Sequence, residues 1–216
     1  MQIFIPCSFD ISQATDGLDK LDTLLSQKPE IGESELQNIF EENESLIFLM
    51  GLEFDLVKPA IYNAETSIFR KYRTDFVIAS ENGEQMSLVE FEEAKLESIF
   101  TMNENKRSVR YDWSNTFEHG VSQISDWFYM LSRKNGTKDM EDEFGWQESK
   151  YKGFVVVGRD AGIGCSERRN RLGWRIANTV INSKHIDFYT FDSLYRALVN
   201  QLEVMKTCAA LLGKDG

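Results

Sequence analysis

Only three prolines, three cysteines and two histidines occur in these 216 residues. So few prolines leave few hard breaks, and long regular elements can form. Cys7, Cys165 and Cys208 are far apart and odd in number. They match neither a metal knuckle nor a disulfide framework, and read as reduced thiols. Two histidines are too few for a His-rich metal site. No apolar run reaches the roughly 18–20 residues that a membrane span needs. The opening MQIFIPCSFD has no basic n-region and no long apolar h-region, so it does not read as a secretion signal. The expectation is a cytoplasmic protein with no membrane partner. Positive charge is also scarce: 24 Lys+Arg face 35 Asp+Glu, a formal net charge of −11. Bulk charge then repels nucleic acid, and any such contact needs a local basic patch or bridging metal ions.

What is present is material for a core. Hydrophobic residues make up 42% and aromatics 12%, which excludes a disordered chain. There is no internal repeat. Residues 1–31 read as a prelude, with a short strand in QIFIP and a helix in GLDKLDTLLSQ that ends at Lys28-Pro29. Residues 32–216 read as the main domain. It opens on a helix, SELQNIFEENESLIF, with Ser34 as N-cap. EFDLVKPAIY reads as an edge strand because of Pro59, and KYRTDFVIAS and MSLVEFEEA as a hairpin about Asn82-Gly83. Residues 97–115 read as a long loop and TFEHGVSQISDWFYMLSRK as a helix. After an acidic loop over 137–151, YKGFVVVGR reads as a buried strand. SERRNRLGWRIANTVIN then reads as a helix, HIDFYT as a strand and FDSLYRALVNQLEVMKTCAALL as a last helix. The order α-β-β-β-α-β, then α-β-α, predicts a mixed sheet with helices on both faces.

The chemistry concentrates in RTDFVIASENGEQMSLVEFEEAK. Glu90 and Glu92 stand two apart on one strand, so they share a face, while Val89 and Phe91 point away. Asp75 lies within the apolar run TDFVIA of the neighbouring strand. Gathered carboxylates repel, and a divalent cation with a taste for hard oxygen ligands removes that cost. The competing reading is a solvated sheet face.

These segments in this order resemble the PD-(D/E)XK nuclease fold, and more narrowly the Shedu-type nuclease domain (the DUF4263 family). The resemblance rests on SELQNIFEEN, TDFVI, LVEFEEAK, HGVSQISDWFYML, FVVVGR and DFYTFDSLYRAL. It implies an α/β restriction-endonuclease-like core and metal-dependent hydrolysis of DNA in bacterial anti-phage defence, with Mg²⁺ or Mn²⁺ as cofactor. It implies Asp75 and Glu90 as metal ligands. Glu92 occupies the place where such nucleases most often carry Lys, and is read as a further ligand or base. Lys95 is the candidate replacement cation. Glu35, with Glu41 as competitor, is the candidate accessory acid. Gln123 and Trp127 resemble the Gln-x-x-x-Tyr element of RecB-like nucleases. Gln123 is then a candidate for holding water or phosphate, and Trp127 reads as packing. The alternative is a nuclease-fold protein that binds nucleic acid or a protein partner without cutting.

Three features remain. His119 is a candidate general base, set against the commoner surface or capping role. Arg168, Arg171 and Arg175 fall on one helical stripe and, with Arg159, form the candidate phosphate-contacting patch; the other reading is a solvated face. Gly162-Ile163-Gly164 and the loop residues Lys106, Arg107 and Arg110 are further candidates for meeting a phosphate. The expected partner is DNA, with a second copy of the chain also open.

Overall fold

The computed structural model of the protein describes residues 1–105 and 108–212. Its centre is a seven-stranded mixed sheet in the order β1-β2-β3-β4-β7-β9-β8. Strands β2 (Ile61–Ile68), β3 (Tyr72–Ala79) and β4 (Gln85–Phe91) form an antiparallel meander, with β1 (Ile5–Pro6) on its outer edge. The β3–β4 turn uses Gly83 at φ 70°, a left-handed value that favours glycine. From β4 the chain crosses over through helix α4 (Asn115–Lys134) and the short α5 (Lys138–Phe144) to β7 (Lys150–Val156), which pairs parallel with β4. Helix α6 (Ser166–Asn178) leads to β8 (Val180–Ile181) and β9 (Lys184–Tyr189), the latter parallel to β7. Helices α1 (Ile11–Gln27), α2 (Glu33–Glu41), α3 (Glu44–Glu53) and α7 (Phe191–Leu212) complete the fold.

Strand alternation divides the core in two. Phe76, Ile78, Val89, Phe91, Phe154 and Val156 face α1, α2, α3 and α7. Val77, Ala79, Leu88 and Val155 face α4, α5 and α6. Two glycines let α4 sit low on its face. A Cβ on Gly120 would stand 2.8 Å from Val155, and one on Gly153 would collide with Ile124 of α4.

The α/β class and the mixed sheet between helical layers match the sequence reading, as does Trp127, which is fully buried in the α4 layer. Several local readings are corrected. The first helix of the main domain is two, because Asn43 stops α2 and caps α3 by accepting from the Leu46 N–H. Ser34 is not the N-cap: Gly32 holds that place and Ser34 is inside α2. Residues 97–115 are no loop but a separate hairpin, β5 (Phe100–Asn105) with β6 (Ser108–Trp113). Strand β2 begins at Ile61, after Pro59, and β1 covers its outer side. Helix α1 also begins six residues early, capped by Asp10, and packs Leu18, Leu21 and Leu25 into the same core as α3 and α7.

Candidate metal centre

The acids continue the α4-facing rows of β3 and β4. Counting by twos from Val77 and Leu88, both buried on that face, the next side chains are Asp75 and Glu90, then Glu92. The ladder between β3 and β4 stops at Phe76–Val89. The Asp75 carboxylate takes over, accepting the Phe91 N–H at 2.5 Å. On its other side Asp75 lies where the β2–β3 ladder skips a pair, between Ala64–Phe76 and Thr66–Thr74. The skipped residue is Glu65, at φ 45°, so the backbone is strained next to the acid. Glu92 follows β4 directly and holds to β7 by its N–H to the Val156 carbonyl, 2.9 Å.

Glu90 and Glu92 are 6% and 7% exposed. Helix α4 supplies their partners. The Gln123 amide donates to Glu90 at 3.4 Å. His119 Nδ1 lies 2.7 Å from Glu92 Oε1, with its ring side chain 61% exposed. One ligand atom each from Glu90, Glu92 and His119 lies within 4.8 Å of the others. Gly120, next to His119, makes this approach possible, since a Cβ there would come within 3.4 Å of the Glu92 carboxylate.

All three acids are raised above their ordinary values. Burial is the main cause in each. For Asp75 the Phe91 N–H opposes it, and Glu33, Glu92 and Glu65 add to it. For Glu90 the charges of Asp75, Glu92 and Glu33 add to burial, against the Gln123 hydrogen bond. For Glu92 the bond and charge of His119 lower the value without offsetting burial. A buried cluster of this kind holds protons or a cation, because three bare carboxylates repel in a poorly solvated place. The donor set, carboxylate oxygens with one imidazole nitrogen, fits a hard divalent ion.

The structure brings Glu90, Glu92 and Gln123 together, with Asp75 coupled to them through its charge. It does not bring in Glu35, which pairs with Lys28, or Glu41, which accepts from Gln37. The α2 acid whose charge reaches the trio is Glu33, at the helix start. Lys95 pairs with Glu93 at 2.5 Å. His119 is the member the sequence reading undervalued. The signal for it was the His119-Gly120 pair one turn before Gln123.

The arginines of the basic patch all have partners inside the protein. Arg159 bonds Asp192 twice and the carbonyls of Leu25 and Lys28, which ties α1 to α7. Arg168 donates to the Gly162 carbonyl and lies 4.7 Å from the Tyr111 ring centre. Arg171 donates to the Tyr111 carbonyl and packs on Phe100 and Trp113. Arg175 pairs with Glu118 at 2.9 Å and packs on Trp113 and Phe117. The stripe thus links α6 to the hairpin and to α4. The Gly162 and Gly164 N–H groups donate within their own turn, to Arg159 and Ala161. Arg110 pairs with Asp112, and Lys106 and Arg107 lie outside the described residues.

Fold and site together define an α/β protein whose mixed sheet carries a buried acidic centre under one crossover helix. The chain belongs to the family described as Shedu protein SduA, C-terminal, whose model matches residues 31–195. No curated protein matches the chain. No described helix is long and apolar enough to cross a membrane.

Proposed function

We propose that the protein is a metal-dependent DNA endonuclease of the PD-(D/E)XK type acting in anti-phage defence. The observation that carries this reading is the convergence of Asp75, Glu90 and Glu92 on one sheet face, the two glutamates buried and all three acids raised in pKa, under His119 and Gln123. Family membership supports the defence context. Residues 32–216 would form the catalytic unit, with residues 1–31 as its buttress.

Asp75, Glu90 and Glu92 would hold Mg²⁺ or Mn²⁺. When bound, the ion supplies charge to a phosphoryl oxygen and lowers the pKa of a water. The Phe91 N–H fixes Asp75, and the Gln123 amide fixes one oxygen of Glu90, so both carboxylates are pre-set for a ligand. Glu92 takes the place usual for Lys. Its partner His119 keeps an exposed ring, which can accept a proton from water or donate to a phosphate oxygen. DNA would approach along this exposed ring side. The second reading is a binding-only descendant. It is favoured by one observation: Lys95, the candidate replacement for the missing Lys, is committed to Glu93.

The test is nicking of supercoiled plasmid with Mg²⁺ or Mn²⁺, against EDTA. Asp75→Asn and Glu90→Gln should each abolish it while keeping the fold. Full activity in either variant would remove the carboxylate centre from the reaction. A salt-dependent DNA shift without cleavage in the parent would favour the binding-only reading.

A further inference from the structure

A cavity of about 380 Å³ opens at the carboxyl ends of β7 and β9, between the sheet and α6. Ligands of α/β sheets bind outside the carboxyl ends of parallel strands. The volume is that of small-molecule sites, roughly 300–1,000 Å³. The apolar walls belong to one side of the sheet. Ile99, Phe117, Val157 and Leu172 are buried in the α4–α6 layer, and Ile163 and Phe188 pack against that layer. Helix α6 buries Leu172 alone, so it covers this layer without filling it.

Charge sits at the rim. Arg196, from α7 on the other side of the sheet, pairs with Asp160 at 2.7 Å, and the second Asp160 oxygen accepts from Thr190. These two charges cancel. Arg169 is different. It stands three residues before Leu172 on α6, so the two share a helix face toward the cavity. Its Nη1 donates to the Ile163 and Gly164 carbonyls, and among the described residues no carboxylate pairs with it. The guanidinium is thus anchored at one corner, and its Nε–Nη2 edge has no protein partner among the described residues. Arg159 shows what that edge takes in this protein. Its Nε and Nη2 hold the two oxygens of Asp192, each at 2.9 Å.

We propose that this cavity binds a small organic carboxylate with an apolar body, of the size of phenylacetate or hexanoate. The body displaces water from the apolar walls. The carboxylate forks onto the Nε–Nη2 edge of Arg169, as Asp192 does onto Arg159. One unpaired cation at the rim matches a monoanion. Neither half of the ligand is enough, because a bare anion leaves the walls wet and a neutral body leaves the guanidinium edge unused. No residue of the carboxylate centre lines the cavity, so its occupant does not touch the acids.

The test is calorimetric titration of the full chain, in EDTA, with phenylacetate, hexanoate, acetate and benzyl alcohol. Phenylacetate or hexanoate should bind with a Kd of about 1 mM or below, at least about tenfold tighter than acetate or benzyl alcohol. Arg169→Ala should weaken that carboxylate about tenfold, to the level of benzyl alcohol. Arg169 is exposed, so this variant should keep the parent's melting temperature. Leu172→Phe, which places a ring in the vacant space, should abolish binding without lowering the melting temperature. If Leu172→Phe does unfold, Arg169→Ala still decides. Asp75→Asn should leave the affinity unchanged, so failure of this proposal and failure of the cleavage reading are distinguishable. The proposal is overturned if neither carboxylate binds at about 10 mM. It is equally overturned if acetate binds as tightly as the larger carboxylates, or if Arg169→Ala binds them like the parent.

Discussion

His119 Nδ1 and Glu92 Oε1 are 2.7 Å apart, one on the crossover helix and the other just past the acidic strand. This hydrogen bond fixes the ring so that its other nitrogen is the one left for chemistry. We predict that His119→Ala lowers plasmid nicking by about 10²-fold, the usual scale for a positioned acid or base. His119→Gln, which keeps a hydrogen bond to Glu92 but cannot shuttle a proton, should be nearly as slow. Parent-like nicking by His119→Gln would reduce the imidazole to a spacer.

The raised carboxylates make the metal-free protein sensitive to pH. A group whose folded pKa lies above its unfolded value binds its proton more tightly when folded. Its contribution to stability is complete below the unfolded pKa and is lost as pH rises through the folded one. Asp75, Glu90 and Glu92 are all raised, chiefly by burial. Stability in EDTA should therefore fall as pH climbs out of the ordinary carboxylate range. Each pH unit of linked shift is about 1.4 kcal/mol, or roughly 2–4 °C in a chain of this size. Glu90→Gln should flatten the fall, and Mg²⁺ should restore melting temperature at high pH. A melting temperature that rises with pH in EDTA, equally in parent and variant, would contradict the burial of these acids.

Much of this centre was legible because strand parity is a strict rule. Glu90 and Glu92 share a face by spacing alone, and the Asn82-Gly83 turn fixed which face Asp75 would join. What failed depended on helix phase and on packing. A helix start shifted from Glu35 to Glu33 rotates the side chains by about 100° per residue. It is thus Glu33 whose charge reaches the acids, while Glu35 turns to Lys28. The hairpin β5–β6 was hidden because its strands are largely polar, and its rings Phe100 and Trp113 pack under arginine guanidinium groups of α6. That same contact turned the arginine stripe inward, which no count of charges could reveal.

Two glycines in helices should respond oppositely to alanine. In an open helix position Gly→Ala stabilises by up to about 1 kcal/mol. Gly173 on α6 has nothing within 4 Å of a built Cβ, so Gly173→Ala should stabilise by about that amount. At Gly120 the same Cβ meets Val155 at 2.8 Å and Glu92 at 3.4 Å. Overpacking of this kind costs about 1–3 kcal/mol, and lifting α4 also separates His119 from Glu92. Gly120→Ala should therefore lose both melting temperature and nicking. Equal effects of the two substitutions would show that α4 is not held close by Gly120.

Arg159 should behave as a structural tie. Its guanidinium is mostly buried and holds Asp192 and two carbonyls at the end of α1. Arg159→Ala should cost about 2–4 kcal/mol by leaving these groups without partners. Arg159→Lys should rescue little, since one ammonium cannot reproduce the fork. DNA binding at a temperature where the variant is folded should keep the parent's salt slope. A slope reduced by about one unit would return Arg159 to the phosphate contacts.

Glu92 is where the chain departs from the pattern of the nucleases it resembles, and its surroundings argue that the change is compensated. A Lys there would place a cation beside Glu90. This chain places a carboxylate there and brings His119 onto it from α4, while Lys95 turns to Glu93. The pair Glu92–His119 would then do the work of the missing Lys. Glu92→Gln keeps the shape and removes the charge. It should weaken the hold on His119 and on the divalent ion, and slow nicking by about tenfold or more, because the ring loses its orienting anion. Glu92→Lys should slow it further, since an ammonium repels both a protonated His119 and the ion held by its neighbours. If the site were a relic that had merely lost its Lys, the same substitution would raise nicking above the parent. Metal-dependent nicking of parent, Glu92→Gln and Glu92→Lys side by side decides the matter, and the compensated site requires that order of rates.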